Sequence, residues 1–359
     1  MHIPDGYLSP STCATLYACA IAGWYAALKR VKRLLLSRVV PLISVFAAFA
    51  FVVMMFNLPL PGGTTGHAIG VTIAAIVLGP SGAILAISIA LAIQALFFGD
   101  GGITTLGANF FNMAIVGSLV AYGSYRLIAV GASIASKRRI AAAAIAGYLA
   151  VNAAAFIAAI EFGIQPLLFH DAAGTPLYAP YPFSVALLAM MIGHLTFAGL
   201  AEAVISAGLV AYLQVADPSL LQKAPEIPVS GNFPVVVDAT ANSQRRLWLA
   251  VALLMLLTPL GIVTAGKAWS EWSPSEFARP GSPAQTAAAT TDRTAGIPDG
   301  MQRLANLWTA PFPAYAPAFV KSAAFGYLLS AMFGVGFLLA LSLLLQRYLK
   351  RRRAARHPA

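Results

Sequence analysis

Long apolar runs, separated by short polar or basic stretches, dominate the chain. A helix that crosses a bilayer needs about 20 mostly apolar residues. We predict such helices near residues 11–28, 39–58, 108–134, 141–162, 183–214, 246–266 and 319–346. The pattern therefore predicts an all-α integral membrane protein built as a polytopic helical bundle.

One further apolar stretch, residues 68–98, is too long for a single helix and is interrupted by Gly79-Pro80-Ser81-Gly82. We interpret it as two segments, the first of them short, that enter and leave the membrane by the same side. Irregular backbone at membrane depth persists only where protein buries it or where it lines a cavity. The break therefore marks either a site or a packing joint.

Basic residues collect between the spans and at the C-terminal end, and their distribution gives the orientation. The clusters are Lys29 to Arg38, Lys137 to Arg139, Lys223 with Arg245 and Arg246, and Lys350 to Arg353. With the broken stretch counted as two crossings, each cluster falls on the cytoplasmic side. The N-terminus and the loops near 60–66, 99–107, 163–182 and 267–318 then lie outside. We expect a multi-pass protein of the bacterial inner (plasma) membrane with a cytoplasmic C-terminus.

Composition argues against several other classes of protein. Hydrophobic residues make up 59% of the chain and charged residues 10%, whereas soluble proteins carry roughly a quarter of their residues as Asp, Glu, Lys and Arg. An ordinary soluble enzyme is therefore disfavoured. The net charge of +11 does not indicate a nucleic-acid partner, because nucleic-acid-binding domains do not consist largely of Ala, Leu, Val and Ile.

The chain divides into two parts joined by a linker rich in Pro, Ser and Asn. The boundaries are 1–214 for a compact set of spans, 215–245 for the cytoplasmic linker, 246–350 for a two-span module with the outer loop 267–318, and 351–359 for a basic cytoplasmic tail. Within the outer loop, Ile297-Pro298-Asp299-Gly300 repeats Ile3-Pro4-Asp5-Gly6.

The first two residues, Met1-His2, form a potential metal chelate. A free N-terminal amine, the amide nitrogen of His2 and its imidazole close a five-membered and a six-membered ring around one ion, with three nitrogens in a plane. Square-planar nitrogen ligation selects Ni(II) or Cu(II). Cleavage as a signal peptide would destroy this site; the first ten residues contain no Lys or Arg, so we expect the segment to stay attached.

The fourth ligand in the plane should be another imidazole from the outer face. Five histidines are present, and His67 lies in an outer Gly/Thr loop whose glycines allow close backbone approach. His170 and His357 are expected to be solvated. His194 and Glu202 share one span, where ionisable groups are costly and often functional, although a buried polar pair that fixes helix packing explains them equally well.

Weaker candidates surround this site. The Gly-rich outer loop that contains Asp100 could orient the imidazoles from outside the metal sphere, and we expect Asp5, Asn109 and Asn112 to act in this way; a tight turn with a helix cap is the alternative. In the first span, Ala14, Ala18, Ala22 and Ala26 form a stripe of small residues. Such stripes let helices pack closely in lipid, so this is a candidate face for a partner membrane protein.

These residues resemble a known family. The start of the chain (MHIPDGYL), His67 after its Gly/Thr loop, and Gly99 to Met113 (GDGGITTLGANFFNM) are similar to the CbiM/NikM family, over about residues 1–214. Residues 246–346 resemble the small NikN-type component, whose usual Pro-Asp-Gly-Leu-Glu is here Pro298-Asp299-Gly300-Met301-Gln302. The lost carboxylate puts any ligand role of that position in doubt.

The resemblance implies a substrate-binding component of an energy-coupling-factor transporter for cobalt or nickel. It implies metal ligands at the amine of Met1, the amide and imidazole of His2, and the imidazole of His67, with the loop 99–112 closing over them. The expected partners are a transmembrane coupling protein and cytoplasmic ATPases, with no resident cofactor. The fused arrangement favours Ni(II) as the transported ion, by analogy, with Co(II) as the alternative.

Two rival functions come from other classes. A metal-dependent intramembrane hydrolase needs a metal with an open position and a nearby acid or base, but the sequence contains no His-Glu-x-x-His and the proposed plane is full. A secondary transporter with its own driving ion is the other rival, and metal uptake by this chain alone would support it.

Overall fold

The computed structural model describes residues 1–32, 39–60, 64–222, 241–262, 267–288 and 297–354, and these form helices with one small hairpin. The α-helices are α1 (Pro10–Lys32), α2 (Val39–Met54), α3 (Val71–Ile93), α4 (Leu106–Asn109), α5 (Gly117–Ala129), α6 (Lys137–Gly163), α7 (Gln165–Leu168), α8 (Phe183–Gly193), α9 (Gly199–Ala216), α10 (Ala241–Leu257), α11 (Pro274–Phe277), α12 (Pro283–Ala288), α13 (Asp299–Leu304) and α14 (Ala323–Ala354). Strands β1 (Leu58–Leu60) and β2 (Thr64–Gly66) pair antiparallel. His357, the middle of the linker and the end of the tail lie outside the described residues.

The described residues include seven helices long and apolar enough to cross a membrane, with α2 as a shorter apolar helix. This confirms the predicted helical membrane fold. The predicted boundaries differ by a few residues at several ends. The second span ends at Met54 rather than near residue 58, because the chain there enters the β1–β2 hairpin.

Three short π-helical segments extend or interrupt the spans, at Gln94–Phe98, Phe110–Val116 and His194–Ala198. Such segments shift the angular position of the side chains that follow them, and they occur frequently at functional sites. The first and third begin at a polar side chain, Gln94 and His194.

Helix α3 breaks at Gly79, whose φ of 72° and ψ of 169° are not helical. A straight run over Val71–Phe98 would be about 42 Å long. However, His67 and Asp100, which flank this run, both contact the Nδ1 atom of His2, at 3.2 and 3.1 Å. The segment therefore turns back on itself, and both of its ends lie on the same face of the protein, as predicted from the sequence.

The loops gather on two opposite faces of the helical bundle. On the first, loops distant in sequence are hydrogen-bonded to one another: Thr65 N to Lys267 O at 3.1 Å, Ala179 N to Tyr7 O at 3.0 Å, and Met301 N to Leu177 O at 3.1 Å. On the second lie the basic ends of the helices: Arg139 Nη1 donates to Leu221 O at 3.0 Å, and Arg246 Nη1 donates to Ala216 O at 3.3 Å. Which of the two faces lies outside stays a prediction from the distribution of Lys and Arg.

The core of the first part is rich in small side chains. Helix α6 buries alanines against its neighbours, among them Ala142, Ala146, Ala150 and Ala154. Small residues allow helix backbones to approach closely in a membrane, where packing stabilises association. The packed bundle provides a fixed frame for the loops of the first face.

Candidate metal centre

The N-terminal segment is drawn into the first face, and Met1, His2 and Ile3 are all buried. Asn109 holds the backbone of Ile3 from both sides: its Oδ1 accepts from Ile3 N at 2.8 Å, and its Nδ2 donates to Ile3 O at 3.2 Å. The amide of Gly102 also donates to Ile3 O, at 2.9 Å. Asn109 therefore positions the residue that follows His2.

Asp5 anchors the same segment to the glycine-rich loop. Its carboxylate accepts hydrogen bonds from the backbone amides of Ile103 and Thr104, at 3.1 and 2.7 Å. The loop approaches so closely that a Cβ atom on Gly102 would lie 2.3 Å from the Asp5 amide nitrogen. Only glycine fits this contact.

The imidazoles of His2 and His67 meet at the centre of the site, with Nδ1 of His2 and Nε2 of His67 3.2 Å apart. The Nδ1 atom of His67 lies 3.1 Å from the carbonyl oxygen of Ala68. A carbonyl only accepts, so in the neutral ring this nitrogen carries the proton. We infer from this partner that Nε2 of His67 presents a lone pair.

Both ring nitrogens of His2 have an oxygen neighbour. Its Nε2 lies 3.3 Å from Oε1 of Gln94, whose amide nitrogen donates to the hydroxyl of Tyr315 at 3.0 Å. Its Nδ1 lies 3.1 Å from Oδ1 of Asp100. This same Nδ1 faces Nε2 of His67.

Burial keeps both rings uncharged. It lowers the pKa of His2 to about 4, although the nearby carboxylate of Glu271 acts in the opposite direction. Burial also lowers the pKa of His67 well below its ordinary value, with further lowering from His2 and the N-terminal amine. At neutral pH both imidazoles are thus in the form that binds metal ions.

Two carboxylates lie next to the imidazoles and the N-terminal amine. Asp100 Oδ1 lies 3.1 Å from His2 Nδ1, and Glu271 Oε1 lies 3.0 Å from the amine nitrogen of Met1. Candidate ligand atoms of His2, Asp100 and Glu271 all lie within 4.8 Å of one another. Burial raises the pKa of Asp100, while the hydroxyl of Tyr315, which donates to Asp100 Oδ2 at 2.6 Å, acts against that rise.

The backbone that follows His67 is fixed by Glu202, which is fully buried. Its Oε2 accepts from the amides of Ile69 and Gly70, both at 2.8 Å, at the N-terminal end of α3. His194 does not share this contact, because its Nδ1 donates to the carbonyl of Met190 at 2.7 Å. Glu202 therefore joins α9 to the start of α3, whereas His194 bonds to the preceding turn of its own span.

Other predicted residues lie apart from the centre. The amide of Asn112 donates to Glu161 Oε2 at 2.7 Å, so its described contact is with a buried carboxylate of α6. His170 sits in a surface turn, where its Nδ1 contacts its neighbour's carbonyl. The stripe of Ala14, Ala18, Ala22 and Ala26 is exposed along α1.

Three residues that contact the candidate metal centre were not predicted from the sequence: Gln94, Glu271 and Tyr315. Gln94 is an amide within an apolar run, and such polar residues within spans are often functional; this signal was available. Glu271 and Tyr315 belong to the second part of the chain, and no motif marks them. Both lie in the outer loop, and they reach the site through long-range contacts with Met1 and Asp100.

The fold and this site define a multi-pass helical membrane protein with histidines and carboxylates gathered beneath its loops on one face. Comparison with known proteins gives the family. Residues 2–220 match the CbiM family, described as the cobalt uptake substrate-specific transmembrane region. The chain therefore belongs to the CbiM family, whose members are transport components.

Relatives extend the similarity beyond that region. The chain is 52% identical to the fused nickel transport protein NikMN of Rhodobacter capsulatus, over 95% of each chain. It is 30% identical to the cobalt transport protein CbiM of Geobacter sulfurreducens, over 76% of this chain and 74% of that one. A crystal structure of a truncated transition metal transporter is 52% identical, with a TM-score of 0.56, and covers 59% of this chain and 98% of its own.

Proposed function

We propose that the chain captures Ni(II) at the outer face of the membrane, as the substrate-binding subunit of an ATP-driven energy-coupling-factor importer. The ligands are the amine of Met1, the amide and imidazole nitrogens of His2, and Nε2 of His67. The observation that carries the proposal is the pair of buried imidazole nitrogens that face each other, 3.2 Å apart, beside the N-terminal amine. With both nitrogens unprotonated, a cation between them accepts both lone pairs.

The order of atoms along the chelate fits this arrangement. Amine, amide and imidazole occupy three consecutive corners of a square, so the fourth corner is adjacent to both the amine and Nδ1 of His2. With metal–nitrogen bonds of about 2.0 Å, adjacent corners are about 2.8 Å apart. The separation between His2 and His67 is close to this edge, so little movement is needed for the ion to bind.

The metal preference follows from the donor set. Planar nitrogen ligation favours Ni(II) or Cu(II) over ions that prefer oxygen or tetrahedral sites, and two relatives with the same fused arrangement are named as nickel transport proteins, one of them probable. Co(II) is the alternative substrate, because other relatives are named as cobalt transport proteins. A yellow, diamagnetic nickel complex of the purified protein would support the square plane.

The energy for uptake comes, in this proposal, from separate cytoplasmic ATPases through a transmembrane coupling protein. The 359 residues contain no Gly-x-x-x-x-Gly-Lys-Ser/Thr motif for ATP. The exposed alanine stripe of α1 is the proposed contact for the coupling protein. The metal face is placed outside and the basic face in the cytoplasm of the bacterial inner membrane, following the distribution of Lys and Arg.

The test is an extension of the N-terminus. A flexible tag of several residues before Met1 converts the amine into an amide and removes a ligand, so we expect the tagged protein to lose Ni(II) binding in calorimetry. A single added residue is unsuitable, because it would make His2 the third residue and create a new planar chelate of the amine, two amides and the imidazole. The same tag at the C-terminus is the control and should leave binding unchanged. Tight Ni(II) binding by the extended protein would refute the amine ligand.

A further inference from the structure

We propose that Glu271, from the outer loop of the second part, is a positioning residue of the metal site. Its carboxylate holds the Met1 amine next to the imidazoles and offsets the positive charge of the bound cation. The inference rests on the proposed function and extends it to the second module. It assigns to that module a direct effect on the affinity for the ion.

The geometry of the Glu271 carboxylate is the first support. Its Oε1 lies 3.0 Å from the Met1 nitrogen and 4.0 Å from Nδ1 of His2. The side chain is only 20% exposed. A charge pair that is largely removed from water interacts more strongly than one on an open surface.

The backbone around Glu271 is tied to the first module on both sides. Three residues before it, Ala268 forms a parallel bridge with Thr65, in the strand that leads to His67. Immediately after it, the carbonyl of Trp272 accepts a hydrogen bond from the buried hydroxyl of Tyr7 at 2.7 Å. These two contacts fix the position of the Glu271 carboxylate relative to both strand β2, which leads to His67, and the N-terminal segment.

The turn that presents Glu271 adopts an unfavourable conformation. Ser270 has a φ of 64°, in the left-handed region, which non-glycine residues rarely occupy. Ser270 is also buried, and the Glu271 amide closes the turn onto Ala268 O at 3.0 Å. Such backbone persists only where its surroundings over-determine it, and it is often found at functional sites.

Charge balance explains what the carboxylate does with the ion present. A divalent ion held by a neutral amine, two neutral imidazoles and one deprotonated amide carries a net charge of +1. A buried positive charge is costly unless an opposite charge or hydrogen bonds offset it. Glu271 already offsets one positive charge, that of the ammonium group. When the ion binds, the ammonium group and the His2 amide each release one proton to solvent, and the same carboxylate then offsets the charge of the metal complex.

The experiment measures Ni(II) affinity of the full chain by calorimetry in Glu271→Gln and Asp299→Asn. The second variant removes one exposed negative charge from the same outer region. We expect Glu271→Gln to bind about 10- to 100-fold more weakly, the usual effect of losing a group that supports metal ligands. Asp299→Asn should bind like the parent protein, and Glu271→Asp, which keeps the charge, should recover part of the loss.

The absorption spectrum of the nickel complex distinguishes positioning from ligation. If Glu271 acts through the amine, the band of the remaining complex stays where it is in the parent protein. Affinity equal to that of the parent in Glu271→Gln would overturn the inference, and a shifted band would show instead that Glu271 is a ligand. Failure of the parent protein to bind Ni(II) would be a failure of the proposed function itself.

Discussion

The Nε2 atom of His67 and the Nδ1 atom of His2 lie 3.2 Å apart, although 65 positions separate the two residues in the chain. Each ring uses its other nitrogen for a hydrogen bond, with Ala68 O and with Gln94. The carbonyl of Ala68 sets the neutral tautomer of His67, with the lone pair on Nε2. The site is organised for a cation by hydrogen bonds outside the proposed coordination plane.

His67→Ala removes the fourth proposed ligand while leaving the chelate at the N-terminus intact. We expect the variant to lose at least tenfold in Ni(II) affinity, because three nitrogens and water replace four nitrogens. Equilibrium competition against a coloured chelator measures the change. His170→Ala is the matched control, since that ring lies in a surface turn, and a loss of binding there would mean that the site has been misplaced.

Glu202→Ala should weaken Ni(II) binding without touching a ligand. Its carboxylate satisfies the amides of Ile69 and Gly70, and a buried amide left without a partner costs about 1–3 kcal/mol. We expect His67 to lose its fixed position and affinity to fall about 10- to 100-fold. Glu202→Gln keeps one acceptor oxygen, so its Ni(II) affinity should lie between those of the parent protein and Glu202→Ala. Parent-like affinity in both variants would contradict this role of Glu202.

Gly102→Ala tests the close approach of the glycine-rich loop to the N-terminal segment. The new Cβ would lie 2.3 Å from the Asp5 amide nitrogen, so the loop or the segment must move and the His2 chelate with it. We predict reduced Ni(II) binding, measured by calorimetry. Gly123→Ala, in α5, is the control, because the new Cβ meets no atom within 4 Å and Ni(II) binding should be normal. Equal binding by both variants would show that binding does not need the close contact between the glycine-rich loop and the N-terminal segment.

Ala22→Leu places a bulky side chain in the exposed stripe of α1. Contacts between small residues depend on close backbone approach, so docking of the proposed coupling protein should suffer. We expect Ni(II) binding by the purified chain to stay unchanged and uptake by cells that contain the complete transporter to fall severalfold. Ile21→Leu, at an adjacent exposed position, is the control. Normal uptake by Ala22→Leu would place the partner elsewhere.

Local pattern was sufficient for the spans and for the broken helix, because long apolar runs and a Gly-Pro interruption are visible in neighbouring residues. The convergence of His2 and His67 was also accessible, since coordination chemistry requires a second imidazole on the outer face. The structure brings these two together as the sequence predicts. The identity of the bound ion stays a prediction.

Contacts between distant segments were not accessible in the same way. Glu271 meets Met1 across 270 positions, and a single carboxylate between two tryptophans carries no periodic signal. The separate partners of His194 and Glu202 were not accessible for a different reason. The π-helical segment His194–Ala198 lies between them, and its wider turn alters the spacing on which a regular helical projection depends.

The reversal of α3 at Gly79 has a mechanical consequence. One arm of this hairpin begins just after His67, and the other ends at Gln94 and Asp100. The two arms are joined through this single break, so a substitution that shifts the backbone at Gly79 would displace both sides of the candidate site together.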